Sequence, residues 1–123
     1  MLKNRLKASN VAILIVLNAL LYAEDKGKAI TRYRMTRRSF KLLSRRQALH
    51  VTFIASVSEE LQELGWQMIE DPDGNFAFFD IDIVDNWARL SISRVKELRD
   101  LEDESLVKKY LEYHAVDDEE NDG

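Results

Sequence analysis

From Val11 to Tyr22 every position but Asn18 is apolar, and Gly27 follows a short charged stretch. That pattern predicts a helix from about Ser9 to Ala23, buried on nearly all sides, with Ser9 or Asn10 as cap and Gly27 as stop. Three basic residues within Met1–Lys7 precede the run, which also has the outline of a signal segment. Against that reading, Leu21 stands where cleavage before Glu24 would want a small residue. A bilayer crossing also needs about 20 apolar residues. The rest of the chain wants a first helix for its core, so a core helix is the expectation.

Ala29–Met35 is short and compatible with a strand, with Arg32 and Arg34 on one face. Thr36 offers an N-cap to a short helix through Leu43, with Phe40 and Leu43 inward. Ser44 and Gln47 fit a capping box, which predicts a longer helix starting at Ser44. Leu49, Phe53, Val57, Leu61 and Leu64 cover an arc of roughly 120° on it, and Gly65 ends it. A hairpin follows. Trp66–Glu70 pairs with Phe76–Ile83 across the turn Asp71-Pro72-Asp73-Gly74. Alternation predicts Phe79, Ile81 and Ile83 inward, and Phe76 and Phe78 partly exposed with Asp80. Val84–Leu101 reads as helical, broken near Ser91 or Ser93, with Trp87, Leu90, Leu98 and Leu101 as anchors. A last helix runs from about Asp103 to His114 with Leu106, Val107, Tyr110 and Leu111 as its stripe. Residues 117–123 are expected to form an acidic, disordered tail.

Charge changes the picture. The 123 residues carry a formal net charge of −4. Residues 1–50 hold twelve Lys/Arg against two acids, and residues 51–123 hold six against twenty. Between Lys26 and Arg46 there are nine basic residues and no acid. Such asymmetry points to a polyanion partner for the first half, or to a basic surface lying against an acidic one.

The expected class is α+β, mainly helical with a small hairpin. The capped helix at Ser44, the exit Leu61, Leu64, Gly65, Trp66 and the hairpin tip Asp73–Ala77 carry a resemblance to the winged helix-turn-helix superfamily, over roughly residues 9–83. The resemblance implies a winged-helix domain over residues 1–101 and a C-terminal helix over 102–116. It implies a DNA-binding role in transcriptional regulation or as an accessory factor. In that family the second of two adjacent helices enters the major groove. Here Arg45, Arg46, Gln47 and His50 would read bases, with Arg32, Arg34, Arg37, Arg38 and Lys41 on phosphates. The hairpin departs from this scheme. It carries Glu70, Asp71, Asp73, Asp80 and Asp82, with no Lys or Arg between Trp66 and Asn86, and would repel phosphate.

The alternative is a protein-interaction module docking through the acidic wing (Phe76, Phe78, Asp80) and the C-terminal helices. A third reading is an RNA binder that stacks bases on Tyr33 and Phe40. Trp87, Leu106, Tyr110 and Tyr113 are candidates for a homodimer surface. A cytoplasmic protein with no membrane contact is expected.

Enzymatic chemistry finds little support. There is no cysteine, only His50 and His114, and no phosphate-binding or nucleophile-elbow motif. Asp71-x-Asp73-x-Asn75 imitates the start of a calcium loop, but Phe76 stands where that loop needs glycine. Asp80, Asp82 and Asp85 are better read as strand edge and helix cap than as magnesium ligands. No catalytic residue, metal or cofactor is expected.

Overall fold

Gly27 takes the left-handed conformation (φ 65°) and closes the first helix, α1, which spans Ala8–Lys26. Its cap is Lys7, whose side chain makes no capping bond, so neither Ser9 nor Asn10 has that role. The computed structural model describes residues 4–122. Only Val11, Ala12, Ile15 and Ala19 of α1 are buried, a single stripe. Ile13, Leu17, Leu20 and Leu21 stay 41–58% exposed, so the helix is not enclosed on nearly all sides. By length and composition α1 is long and apolar enough to cross a membrane; its buried stripe belongs to the core.

Strand β1 is Arg32–Met35. The Thr36 hydroxyl accepts the Ser39 amide at 3.1 Å and starts α2, Arg37–Ser44. Here the capping box at Ser44 fails. Ser44 is the last residue of α2, fully buried, and its hydroxyl donates back to the Phe40 carbonyl at 2.8 Å. Arg45 turns left-handed (φ 57°), and the next helix, α3, begins only at Val51 and runs to Glu63. The cap position of α3 is His50, six residues beyond Ser44, so the Ser44 hydroxyl has no α3 amide to accept. Phe53, Val57 and Leu61 bury the expected face of α3 against α1. Gly65 (φ 82°) then supplies the left-handed turn into the sheet.

Strands β2 (Trp66–Glu70) and β3 (Phe76–Asp80) form the hairpin. The Asp71 carboxylate accepts the Asp73 and Asn75 amides, both at 2.9 Å, so it organises the turn and is committed to it. Pairing is antiparallel in the order β1-β3-β2. The register sets Phe78 between Tyr33 and Met68, and Phe76 opposite Met35 and Glu70. Phe76 and Phe78 are therefore the inward pair, each 1% exposed, and the phase expected from Phe79, Ile81 and Ile83 is inverted. Ile81 and Ile83 are not in the strand at all, because the Asp80 carboxylate accepts the Asp82 amide and begins a 3-10 helix, Ile81–Asn86. Local alternation could not see the two flanking strands that decide the face.

The core joins the α1 stripe, Phe40, the α3 face and the sheet side bearing Trp66, Met68, Phe76 and Phe78. The Tyr33 hydroxyl donates to the Ile15 carbonyl at 2.7 Å and ties β1 to α1. Burial pushes the Tyr33 phenol above its ordinary value near 10, against a smaller opposing effect of Asn18. The unfolded chain therefore releases this proton first as pH rises. Stability from this group is complete below the unfolded value and is lost as pH climbs through the folded one. Urea unfolding of Tyr33→Phe across pH 9–11 is expected to show a flatter alkaline decline than the parent.

Residues up to Trp87 make one compact unit, and residues from Ala88 on make a second. Between Trp87 and Leu101 there are only two short 3-10 turns, Ser93–Val95 and Leu98–Asp100, instead of the helical stretch broken near Ser91 or Ser93. Leu90 is 76% exposed and anchors nothing there. The last helix, α4, spans Asp103–Asp122. No glycine or proline interrupts it, so its backbone continues past residue 116 through the acidic residues expected to be a disordered tail. Gly123 lies outside the described residues.

Candidate nucleic-acid interface

The nine expected contact residues separate into four places. Arg32 and Arg34 stand exposed on the outer face of the sheet. Arg37 is tied to the hairpin: its guanidinium lies 3.6 Å from Glu70 and donates to the Gly74 carbonyl at 3.3 Å. Its amide donates to Asn75 Oδ1 at 3.0 Å. Arg37 thus neutralises part of the acidic hairpin and is not a free phosphate ligand. Arg38 and Lys41 are three apart on α2 and share a face, with Arg38 exposed.

The fourth place is built around the connection between α2 and α3. The segment 4–7 is strapped to it by three hydrogen bonds. The Leu6 amide donates to the Ser44 carbonyl at 3.2 Å, Arg45 Nη1 to the Asn4 carbonyl at 3.2 Å, and Arg46 Nη2 to the Leu6 carbonyl at 3.0 Å. Arg46 sits over Phe53, with its guanidinium carbon 3.5 Å from the ring centroid. Its Nε is buried with no partner among the described residues. Burial, and then the nearby charge of Arg5, push the Arg46 guanidinium down from its ordinary value. Arg46 is therefore held by packing and strapping, ahead of α3 rather than on its first turn.

Arg45, Gln47 and His50 also leave the helix. They sit before α3 rather than on its first turns, and the exposed side chains of those turns are Val51, Thr52, Ala55 and Ser56. Sequence reasoning missed these four, and also Arg5 and Lys7, because it started the helix too early and read the N-terminal segment only as a flank. Spacing carried no signal of the later start, because Leu49 continues the four-residue spacing of Phe53, Val57 and Leu61 although it precedes α3.

Two adjoining clefts result. One is lined by Asn4, Arg5, Leu6, Lys7 and Arg46, the other by Arg5, Arg45, Arg46, Gln47 and His50, and they meet at Arg5 and Arg46. No acid lines either, and residues 26–58 contain none. Both α1 and α3 start here without a side-chain cap, at Lys7 and His50. Uncapped helix starts present free amides and the positive end of the dipole, and surrounding arginines reinforce both. The arrangement can hold oxyanions along a track.

The other expectations fare differently. Phe76, Phe78 and Phe40 are buried, so the two hairpin aromatics cannot meet a partner and Phe40 cannot stack a base. Asp80 caps the 3-10 helix. Trp87 packs on Phe79, while Tyr110 and Tyr113 on α4 are 60% and 69% exposed. Among the described residues no group of three His, Asp or Glu could hold a metal ion. No family model, no curated protein and no solved structure matches the chain.

Proposed function

We propose that this is a winged-helix DNA-binding protein, with α3 as the groove helix. The order α1-β1-α2-α3-β2-β3 and the sheet order β1-β3-β2 support the resemblance. The observation that carries the function is the acid-free cluster of Arg5, Lys7, Arg45 and His50 at two uncapped helix starts. These groups bind phosphates and fix the helix on the duplex. Val51, Thr52, Ala55 and Ser56 then face the major groove. They offer methyl groups and short hydroxyls, which favour thymine methyl contacts over bidentate base readout. Sequence preference is accordingly weak, and phosphate contact dominates affinity. The acidic hairpin stays off the backbone.

Fluorescence anisotropy of the full chain on random duplex DNA across a salt series tests this. Micromolar binding, with a log–log salt slope implying roughly four phosphates, is expected. Absence of binding at low salt overturns the reading. A second reading, a protein-interaction module, is favoured by one observation: the exposed stripe Ile13, Leu17, Leu20 and Leu21 on α1. It gains if duplex binding fails.

A further inference from the structure

The outer face of the sheet places unpaired cations beside aromatic surface. Register sets Arg32, Phe79 and Gln67 in one cross-strand row, and Arg34, Ala77 and Ile69 in the next. Ala77 is the one small side chain in these two rows, so a hollow opens over it. Past β3 the 3-10 helix Ile81–Asn86 turns the chain, and its C-terminal amide bond, from Trp87 to the Val84 carbonyl at 3.0 Å, fixes the return. The Trp87 ring lies 5.6 Å from the Phe79 ring, tilted by 38°. Both rings line the hollow.

The resulting pocket has a volume of about 400 Å³, and Arg32, Arg34, Phe79, Ile83 and Trp87 surround Ala77 in it. That is within the range of small-molecule sites, roughly 300–1,000 Å³. No carboxylate lines it. Among the described residues, neither Arg32 nor Arg34 makes an ion pair or a side-chain hydrogen bond, whereas Arg37 is fastened to Glu70 and Gly74 and Arg46 to Leu6. Two guanidiniums held two residues apart on one strand, unpaired and next to an apolar surface, match an anion attached to a ring.

We propose that this pocket binds a small planar aromatic molecule carrying one anionic group. The ring lies on Phe79 and Trp87, and a carboxylate or phosphate lies between Arg32 and Arg34. An aromatic carboxylate and a nucleoside monophosphate share this chemistry. The site uses different elements from the cluster at the helix starts, so it stands or falls separately from DNA binding.

The test follows the indole N–H resonance of Trp87 in the labelled full chain, assigned by its loss in Trp87→Phe. Trp66, the other tryptophan, is 8% exposed and serves as the internal reference. The probes are 2-naphthoate and AMP, with adenosine and inorganic phosphate as separated halves. A dissociation constant below about 1 mM for at least one intact probe is expected, with each half weaker by about tenfold or more. Tighter 2-naphthoate assigns a carboxylate source, and tighter AMP assigns a phosphate source. Arg34→Gln is expected to weaken the better probe about tenfold with an unchanged urea midpoint. Ala77→Leu, which fills the hollow but keeps both charges, is expected to abolish binding. Arg45→Gln is expected to leave it intact. The proposal is overturned if neither probe moves Trp87 at millimolar concentration, if adenosine binds as well as AMP, or if Arg34→Gln binds as the parent does.

Discussion

Replacing Arg5, Lys7 and Arg45 together with glutamine is expected to weaken duplex binding by about two orders of magnitude near 0.1 M salt. The log–log salt slope should flatten by roughly 2 to 3, because each lost phosphate contact removes about 0.9. These three are the informative choices among the basic residues. All three are exposed around the clefts at the helix starts, and Arg45 holds only one carbonyl at 3.2 Å. Arg46 and Arg37 would mislead, since Arg46 lies on Phe53 and Arg37 fastens the hairpin. Their loss would weaken binding by loosening the fold. A triple variant that keeps the parent's urea midpoint and the parent's salt slope would show that the cluster does not face DNA.

Phe40→Ala is expected to cost about 3–5 kcal/mol of stability. Phe40 is fully buried at the point where three elements meet. Its ring centroid lies 4.5 Å from that of Phe76 on β3 and 6.5 Å from that of Phe53 on α3. Removing the ring leaves a void that two other aromatic rings and the end of α2 cannot fill without moving. Against a typical total stability of about 5–15 kcal/mol, such a loss is large. Urea denaturation followed by far-UV circular dichroism should show a midpoint lower by at least about 1 M. A shift under about 0.3 M would mean that α2 is not a structural part of the core.

Where the fold was legible in the sequence, the signals were local. Thr36 caps α2 through an amide three residues away. Gly27 and Gly65 take left-handed turns where an ordinary side chain would be strained. The Asp71 carboxylate folds the hairpin tip within four residues. The charge division and the absence of cysteine were equally plain. Each of these depends on neighbours that the linear chain already displays.

The features that sequence reading got wrong share another property. Ser44 resembled a cap, yet its hydroxyl returns to Phe40 and its carbonyl receives the Leu6 amide from the far end of the chain. Phe76 and Phe78 alternate with Phe79 in a way that permits either phase, and only pairing with Tyr33 and Met68 chose the inward one. The basic run looked like a single surface. Tertiary structure divided it among a sheet face, a hairpin clamp, a face of α2 and a strap on segment 4–7. The order of elements from α1 to β3, the Thr36 cap, the glycine turns and the charge division were already set along the chain, because these rest on hydrogen bonds and conformational preferences spanning a few residues. Tertiary structure alone decided which face is buried, which arginines stay free and where α3 begins, because those outcomes depend on partners some forty residues away.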